Sequence, residues 1–308
     1  MRKFKDMNLF SFTANFGSEE ACRFHFKYER DKIGITCSKC GCTEHYWIKS
    51  RWSYECKSCR SRTSLRSGTI MQNSNLPFLV WYKAMFLLSA TKKGFSSKEI
   101  QKQLGIKRYE PVWAMIHKLR KAMGNRDAKY TLEGMIEMDE GYFTVESSEL
   151  EKIKGGRGRG AAGKTNVAIL AESTPLEELE TGKKSSHCRY FKAKVLATHE
   201  KEEINEVVFD SLDEKCIVFS DKSTSYVDIS DFIELHITEK SDNQTTKETL
   251  RWVHITISNA KRSFLGNYHK IKGKYLQLYL NEFVYKLNRR YFGEKIFDRL
   301  VIANITGL

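Results

Sequence analysis

Residues 135–145, Met-Ile-Glu-Met-Asp-Glu-Gly-Tyr-Phe-Thr-Val, alternate apolar Ile136 and Met138 with acidic Glu137 and Asp139. A period of two residues is that of a strand with one apolar face. Gly141 interrupts the alternation, and Tyr142, Phe143 and Val145 then resume β-favouring chemistry. A second strand is predicted at 216–221, apolar on both faces until Ser220 and Asp221, the pattern of a central, covered strand. Shorter patterns predict strands at 166–172, 189–197 and 235–238, a helix over 200–212 and a polar loop over 173–188.

Upstream the period becomes helical. Ser18 followed by Glu19 and Glu20 predicts a short helix over about 18–28. Pro77 opens an apolar helix from Phe78 to Leu88 that ends near Gly94. Ser96-Ser-Lys-Glu99 is a capping box for a second helix to about Leu104, stopped by Gly105. Val112, Ile116, Leu119 and Met123 then share one face of a third helix. Helix, glycine turn and helix is the layout of a helix-turn-helix, in which Lys107, Arg108 and Tyr109 lead the second helix into a DNA groove, with Lys118, Arg120 and Lys121 further along. Downstream, a final amphipathic helix is expected over 275–291 with Leu276, Leu280, Phe283 and Leu287 as its core stripe.

Cysteine spacing changes the reading of the segment between these helices. Cys37-Ser-Lys-Cys40 and Cys56-Lys-Ser-Cys59 are two tight C-x2-C turns separated by fifteen residues, the spacing of a four-thiolate structural zinc site. Tyr46–Lys49 and Arg51–Glu55 read as the two strands of a zinc-ribbon hairpin. Cys42 and His45 are bystanders in this reading, and Arg60 and Arg62 on the ribbon suit phosphate contact.

Charge divides the chain. Residues 1–130 hold 26 Lys and Arg against 10 Asp and Glu, residues 131–250 hold 15 against 25, and residues 251–308 hold 11 against 3. Two basic flanks around an acidic middle fit a nucleic-acid partner. No apolar run reaches the length of a membrane span and no signal core follows the basic N-terminus, so a cytoplasmic protein without membrane contact is expected. Gly158 to Thr165 spells a phosphate loop, G-x4-G-K-T, but a strand rather than a helix is predicted to follow it, so it reads as a basic turn between strands.

Three strands, a helix and a further strand, with acids on the first and fourth strands, is the ribonuclease-H-like arrangement. Adjacent strands can bring Asp139 and Asp221 together, where they repel unless a divalent cation lies between them. Mg²⁺ or Mn²⁺ in phosphoryl transfer is the chemistry that follows. The expected fold is a multidomain α+β chain: an N-terminal helical segment (1–30), a zinc ribbon (31–70), a helix-turn-helix segment (71–130) and a ribonuclease-H-like α/β domain with a mixed sheet (131–308).

With these residues in hand, the chain resembles bacterial insertion-sequence transposases of the ISXO-like branch over about residues 20–300. The resemblance is carried by Cys37, Cys40, Cys56 and Cys59, by Glu137-Met-Asp139-Glu-Gly-Tyr-Phe, by Phe219-Ser-Asp221, and by Tyr268-His269, Tyr279-Leu-Asn-Glu-Phe283 and Asn288-Arg-Arg290. It implies recognition of terminal inverted repeats, strand cleavage, and attack of the freed 3′-hydroxyl on target DNA. It also implies one structural Zn²⁺ and two catalytic Mg²⁺ or Mn²⁺ ions, Asp139 bridging both and Asp221 holding one. Relatives place a glutamate, or in some branches an asparagine, as the third ligand, with a lysine nearby. Asn259 with Lys261 is placed first here, His254 second and Glu282, whose simpler role is an exposed pair with Lys286, third. Lys261, with Arg262, would steady a phosphate. A homodimer or larger assembly on double-stranded DNA is expected because two ends are handled together. A zinc-ribbon regulator without catalysis and a two-metal nuclease are the alternatives.

Overall fold

The computed structural model describes residues 7–146, 163–177, 184–197, 201–223, 226, 228–240, 249–268, 270–290 and 295–307. Two compact units emerge: Met1–Arg126 together with Arg289–Leu308, and Asp127–Asn288.

The first unit opens with α1 (Leu9–Phe16) and α2 (Glu19–Ile33), the latter capped by Ser18, whose side chain accepts from the Ala21 amide. The sequence pattern announces α2 but not α1. The ribbon follows as β1 (His45–Ile48), β2 (Ser53–Cys56) and β3 (Arg62–Ser64), an antiparallel sheet in that order. Arg30 of α2 is buried and donates to the carbonyls of Ser64, Leu65 and Ser67, which ties the ribbon to the helix. Next come α3 (Phe78–Ala90), α4 (Ser97–Leu104) and α5 (Tyr109–Ala128). Ser96 caps α4 as the capping box predicts, and Gly105 takes the left-handed conformation at φ 65° that ends it. Val112, Ile116, Leu119 and Met123 are all buried. Arg120 is buried too, so it does not extend the basic row expected on α5; Lys121, one residue on, is exposed.

The chain's last helix closes this unit. It lies at Lys295–Thr306, and its Phe297 ring packs against Phe12, Phe16 and Tyr82 at centroid separations of 5.7, 5.4 and 5.8 Å. No periodic pattern predicted this helix, and its aromatic partners lie more than two hundred residues upstream in the sequence.

The second unit is a five-stranded mixed sheet. Its strands are β4 (Met135–Thr144), β5 (Lys164–Glu177), β6 (Lys184–Leu196), β7 (Ile217–Asp221) and β8 (Leu235–Glu239), in the order β6-β5-β4-β7-β8. Strands β6, β5 and β4 are antiparallel neighbours, while β7 and β8 run parallel to β4. This is the ribonuclease-H-like sheet. Helix α6 (Lys201–Ser211) covers one face with Ile204, Val207 and Val208 against Ile136, Met138, Leu170 and Val218. Helices α7 (Arg251–Asn267) and α8 (Leu276–Asn288) cover the other with Val253, Ile257, Leu276 and Leu280 against Phe143, Val167, Ile169 and Ala171. Each buried aliphatic side chain contributes about 1.5–3 kcal/mol, so a one-residue slip of β4, which would turn Ile136 and Met138 to the wrong face, is strongly disfavoured.

Strands β5 and β6 run further than their apolar pattern. Residues 173–177 and 184–188, expected in a polar loop, continue the ladder from Ser173↔Cys188 to Glu177↔Lys184 past a register shift at Glu172/Ser173. Backbone pairing needs no apolar side chains, which is why the hairpin outlasts the hydrophobic alternation. Along the free edge of β6, two side-chain amides of α8 take the place of a further strand. Gln277 accepts from the Val195 amide and donates to the Ala193 carbonyl, and Asn288 does the same at Phe191.

Candidate active site and metal centre

Asp139 stands near the middle of β4, and Asp221 ends β7. The parallel register pairs Ile136 with Val218 and Glu137 with Phe219, and both aspartates lie two residues beyond that last rung. Neighbouring strands lie about 4.8 Å apart. Strand periodicity sends both side chains to the face covered by α7, since Ile136, Met138 and Val218 occupy the opposite core.

Helix α7 adds the rest. His254 lies in its first turn, with Nε2 3.6 Å from Asp139 Oδ2. Lys261 stands two turns on, on the same face, and its charge lowers the Asp139 pKa; its ammonium lies 5.8 Å from the Phe143 ring centroid. Asn259 falls five residues after His254, on the far side of the helix by pitch, where its Oδ1 accepts from Arg262 at 2.7 Å. Glu282 belongs to α8, which packs along β6, two strands from β4. It meets Lys286 at 3.9 Å as the sequence spacing suggested, but the pair is buried rather than solvated. Of the third-ligand candidates, the fold therefore brings His254 to Asp139.

The electrostatics fit a cation. Burial, reinforced by the charges of Asp221 and Glu140, lifts the Asp139 carboxyl to about 6. Burial lowers the His254 imidazole, against the opposing pull of Asp221, which favours the neutral ring that a metal needs. Two carboxylates and one imidazole are a donor set for Mn²⁺ or Mg²⁺, the nitrogen weighting it towards Mn²⁺.

Two neighbours on the same face of β4 were not foreseen in these roles. Glu137 Oε2 accepts the amides of Trp252 and Val253 at 2.6 and 3.2 Å, and Gly141 lets Ile257 approach so closely that an added Cβ would meet it at 3.3 Å. The strand alternation placed Glu137 beside Asp139; nothing in the local sequence pointed to a helix start 115 residues away.

Residues 131–288 match the ISXO2-like transposase domain family, over half of the 308 residues. The chain belongs to that transposase family. No curated protein matches it. The transposase carries its second metal candidate in the ribbon. The sulfurs of Cys37, Cys40, Cys56 and Cys59 all lie within 4.8 Å of one another; among the described residues no other group of three or more His, Cys, Asp or Glu comes together so closely, Asp139, Asp221 and His254 included. The Cys37–Cys59 and Cys40–Cys56 pairs are 3.6 and 3.5 Å apart, close to the sulfur separations of a tetrahedral site with Zn–S bonds near 2.3 Å. The two knuckles repeat one design: Gly41 donates to the Cys37 carbonyl and Arg60 to that of Cys56, both from left-handed backbone at φ 72° and 60°. Backbone N–H groups, that of Cys59 foremost, hold the Cys56 thiol down at about 6. Cys42 and His45 stay outside the cluster, bonded locally to Glu44 and Thr43.

The basic candidates of the ribbon and the helical segment are in the first unit. Arg60 and Arg62 reach Glu55 at 3.6 and 3.0 Å on the ribbon surface. Lys107 and Arg108 are exposed in the turn before α5, which Gln101 clamps by donating to the carbonyls of Ile106 and Lys107. The apparent phosphate loop ends in strand: Lys164 and Thr165 pair with Thr144 and Phe143, while 158–162 lie outside the described residues, as does His269. Among the described residues no helix is long and apolar enough to cross a membrane.

Proposed function

We propose that this transposase binds the terminal repeats of an insertion sequence, cleaves DNA there and joins the freed 3′ ends to target DNA, with two Mn²⁺ or Mg²⁺ ions held by Asp139, Asp221 and His254. The carrying observation is the approach of His254 to Asp139 on the sheet face that Asp221 shares. Bound there, the ions would neutralise the carboxylates, polarise the scissile phosphate and favour ionisation of the attacking hydroxyl. Lys261 faces the negative charge that develops on the phosphate. In cleavage, water attacks phosphorus and a 3′-oxygen leaves. In joining, the freed 3′-hydroxyl attacks a target phosphate and displaces the target's own 3′-oxygen. Neither exchange needs a covalent protein–DNA link.

A structural Zn²⁺ in the Cys37, Cys40, Cys56, Cys59 site would hold the ribbon, whose Arg60 and Arg62 bind phosphates. Lys107 and Arg108 bind at the start of α5. The working form is a homodimer or larger assembly on two DNA ends, acting in the cytoplasm.

The test is incubation of the purified chain with duplexes carrying the element's ends, a target plasmid and Mn²⁺ or Mg²⁺. Joined products are expected. Cutting without joining would make the chain a nuclease, and binding without cutting a regulator.

A further inference from the structure

The start of α7 has no cap of its own. Leu250, at the capping position, offers no side-chain acceptor, yet the helix must begin where His254 falls opposite Asp139. The acceptor comes from β4: Glu137 is 2 % exposed, and a single carboxylate oxygen takes the N–H groups of Trp252 and Val253, the two residues just before His254. Its remaining bonding includes the Ser173 side chain on β5. A carboxylate at a helix N-terminus is held by direct hydrogen bonds and by the helix dipole together.

The strand makes this cap a ruler. Glu137, Asp139 and Gly141 are alternate residues of one strand and point the same way. They meet, in order, the Trp252 and Val253 amides, the His254 ring and the Ile257 side chain. Three alternate positions on β4 thus meet the first two turns of α7 in the same order, and the candidate metal pair is the middle contact. Sliding or fraying the helix start would move His254 away from Asp139 before it disturbed the rest of the sheet.

The geometry points to Glu137 as a positioning residue for the metal centre: from β4 it caps α7, and so holds His254 at coordinating reach of Asp139. The inference rests on the proposed role of Asp139, Asp221 and His254 in binding a divalent cation. In this reading Glu137 acts through the Trp252 and Val253 amides and not as a ligand.

The test is a Mn²⁺ titration of the full chain, ribbon zinc in place, followed by electron paramagnetic resonance, with thermal melting and amide hydrogen exchange over 250–256 alongside. Glu137→Ala is expected to remain folded, to exchange faster at the start of α7, and to need at least ten times more Mn²⁺ for half-saturation. Glu137→Gln keeps an acceptor oxygen and is expected to stay within about threefold of the wild type on both counts. Should the alanine variant not fold, Glu137→Asp, one methylene short of the amides, takes its place with the same expectation. Mn²⁺ affinity unchanged in a variant whose exchange has risen would overturn the positioning role alone. Wild-type Mn²⁺ binding that is absent, or indifferent to Asp139→Asn, would overturn the metal centre and the positioning role with it.

Discussion

Asp139 Oδ2 and His254 Nε2 face each other at 3.6 Å, one from the middle of a strand and the other from the first turn of a helix 115 residues downstream of it. Their side chains are 16 and 32 % exposed, so the pair is sheltered yet open to a ligand. If it completes a metal site with Asp221, His254→Ala should lower cleavage at least 100-fold with DNA affinity kept, whereas Asn259→Ala should change it by less than about threefold. Equal losses from both substitutions, in a gel assay of end cleavage, would return Asn259 to the centre.

The Asp139 carboxyl titrates near 6, lifted by burial and then by the charges of Asp221 and Glu140. The unfolded value is about 3.9, so the folded state holds its proton more tightly. The resulting stabilisation is complete below pH about 4 and is lost as pH rises through about 6. Without metal, Asp139→Asn should therefore be more stable than the wild type at pH 8, by about 1–3 kcal/mol, with the gap closing towards pH 4. Mn²⁺ should raise the wild-type Tm and leave the variant's unmoved; calorimetry at the two pH values reads both.

Gly141 is chosen for space rather than for backbone freedom. A Cβ there would meet Ile257 Cγ1, Ile257 Cγ2 and the Phe143 ring, each at 3.3 Å. Gly141→Ala should cost roughly 1–3 kcal/mol of stability and reduce cleavage by displacing α7. Ile257→Val in the same chain should recover part of both, as a denaturant melt and a cleavage assay would report.

Arg60 combines two demands that oppose each other. Its φ of 60° is left-handed, which costs a side-chain-bearing residue about 1–2 kcal/mol, while the proposed function makes its guanidinium a phosphate contact. Arg60→Gly should raise the ribbon's thermal stability by about 1 kcal/mol. It should also weaken DNA binding uniformly across sequences and reduce the salt dependence of affinity by about one phosphate contact. Fluorescence anisotropy at several salt concentrations separates the two effects.

The ribbon sheet is small, and its four thiols crowd within 4.8 Å. Cys56→Ser, or a strong zinc chelator, should release one metal ion per chain and abolish exchange protection in β1–β3. Arg30's bonds to Ser64, Leu65 and Ser67 should then fail with it, since the carbonyls it holds belong to the same fold.

Much of this was local information. The C-x2-C turns, the capping box at Ser96, the apolar face of α5 and the alternation around Asp139 each follow from spacing within a dozen residues, and each is present in the fold. The sequence alone thus determined the central strands, α2 to α5, the thiol quartet and the strand positions of the two aspartates, but not α1, α7, the last helix or the long ends of β5 and β6. What it could not determine was which side of α7 meets the sheet. Asn259 and His254 lie on one helix, and only the packing of Val253, Ile257 and Ala260 onto β4 and β5 turns His254 inward and Asn259 out. The capping of that helix by Glu137, the burial of Arg120 and the return of the last helix to Phe12 and Phe16 have the same origin. They are contacts between distant segments, decided when the hydrophobic faces close on one another, and no local period encodes them.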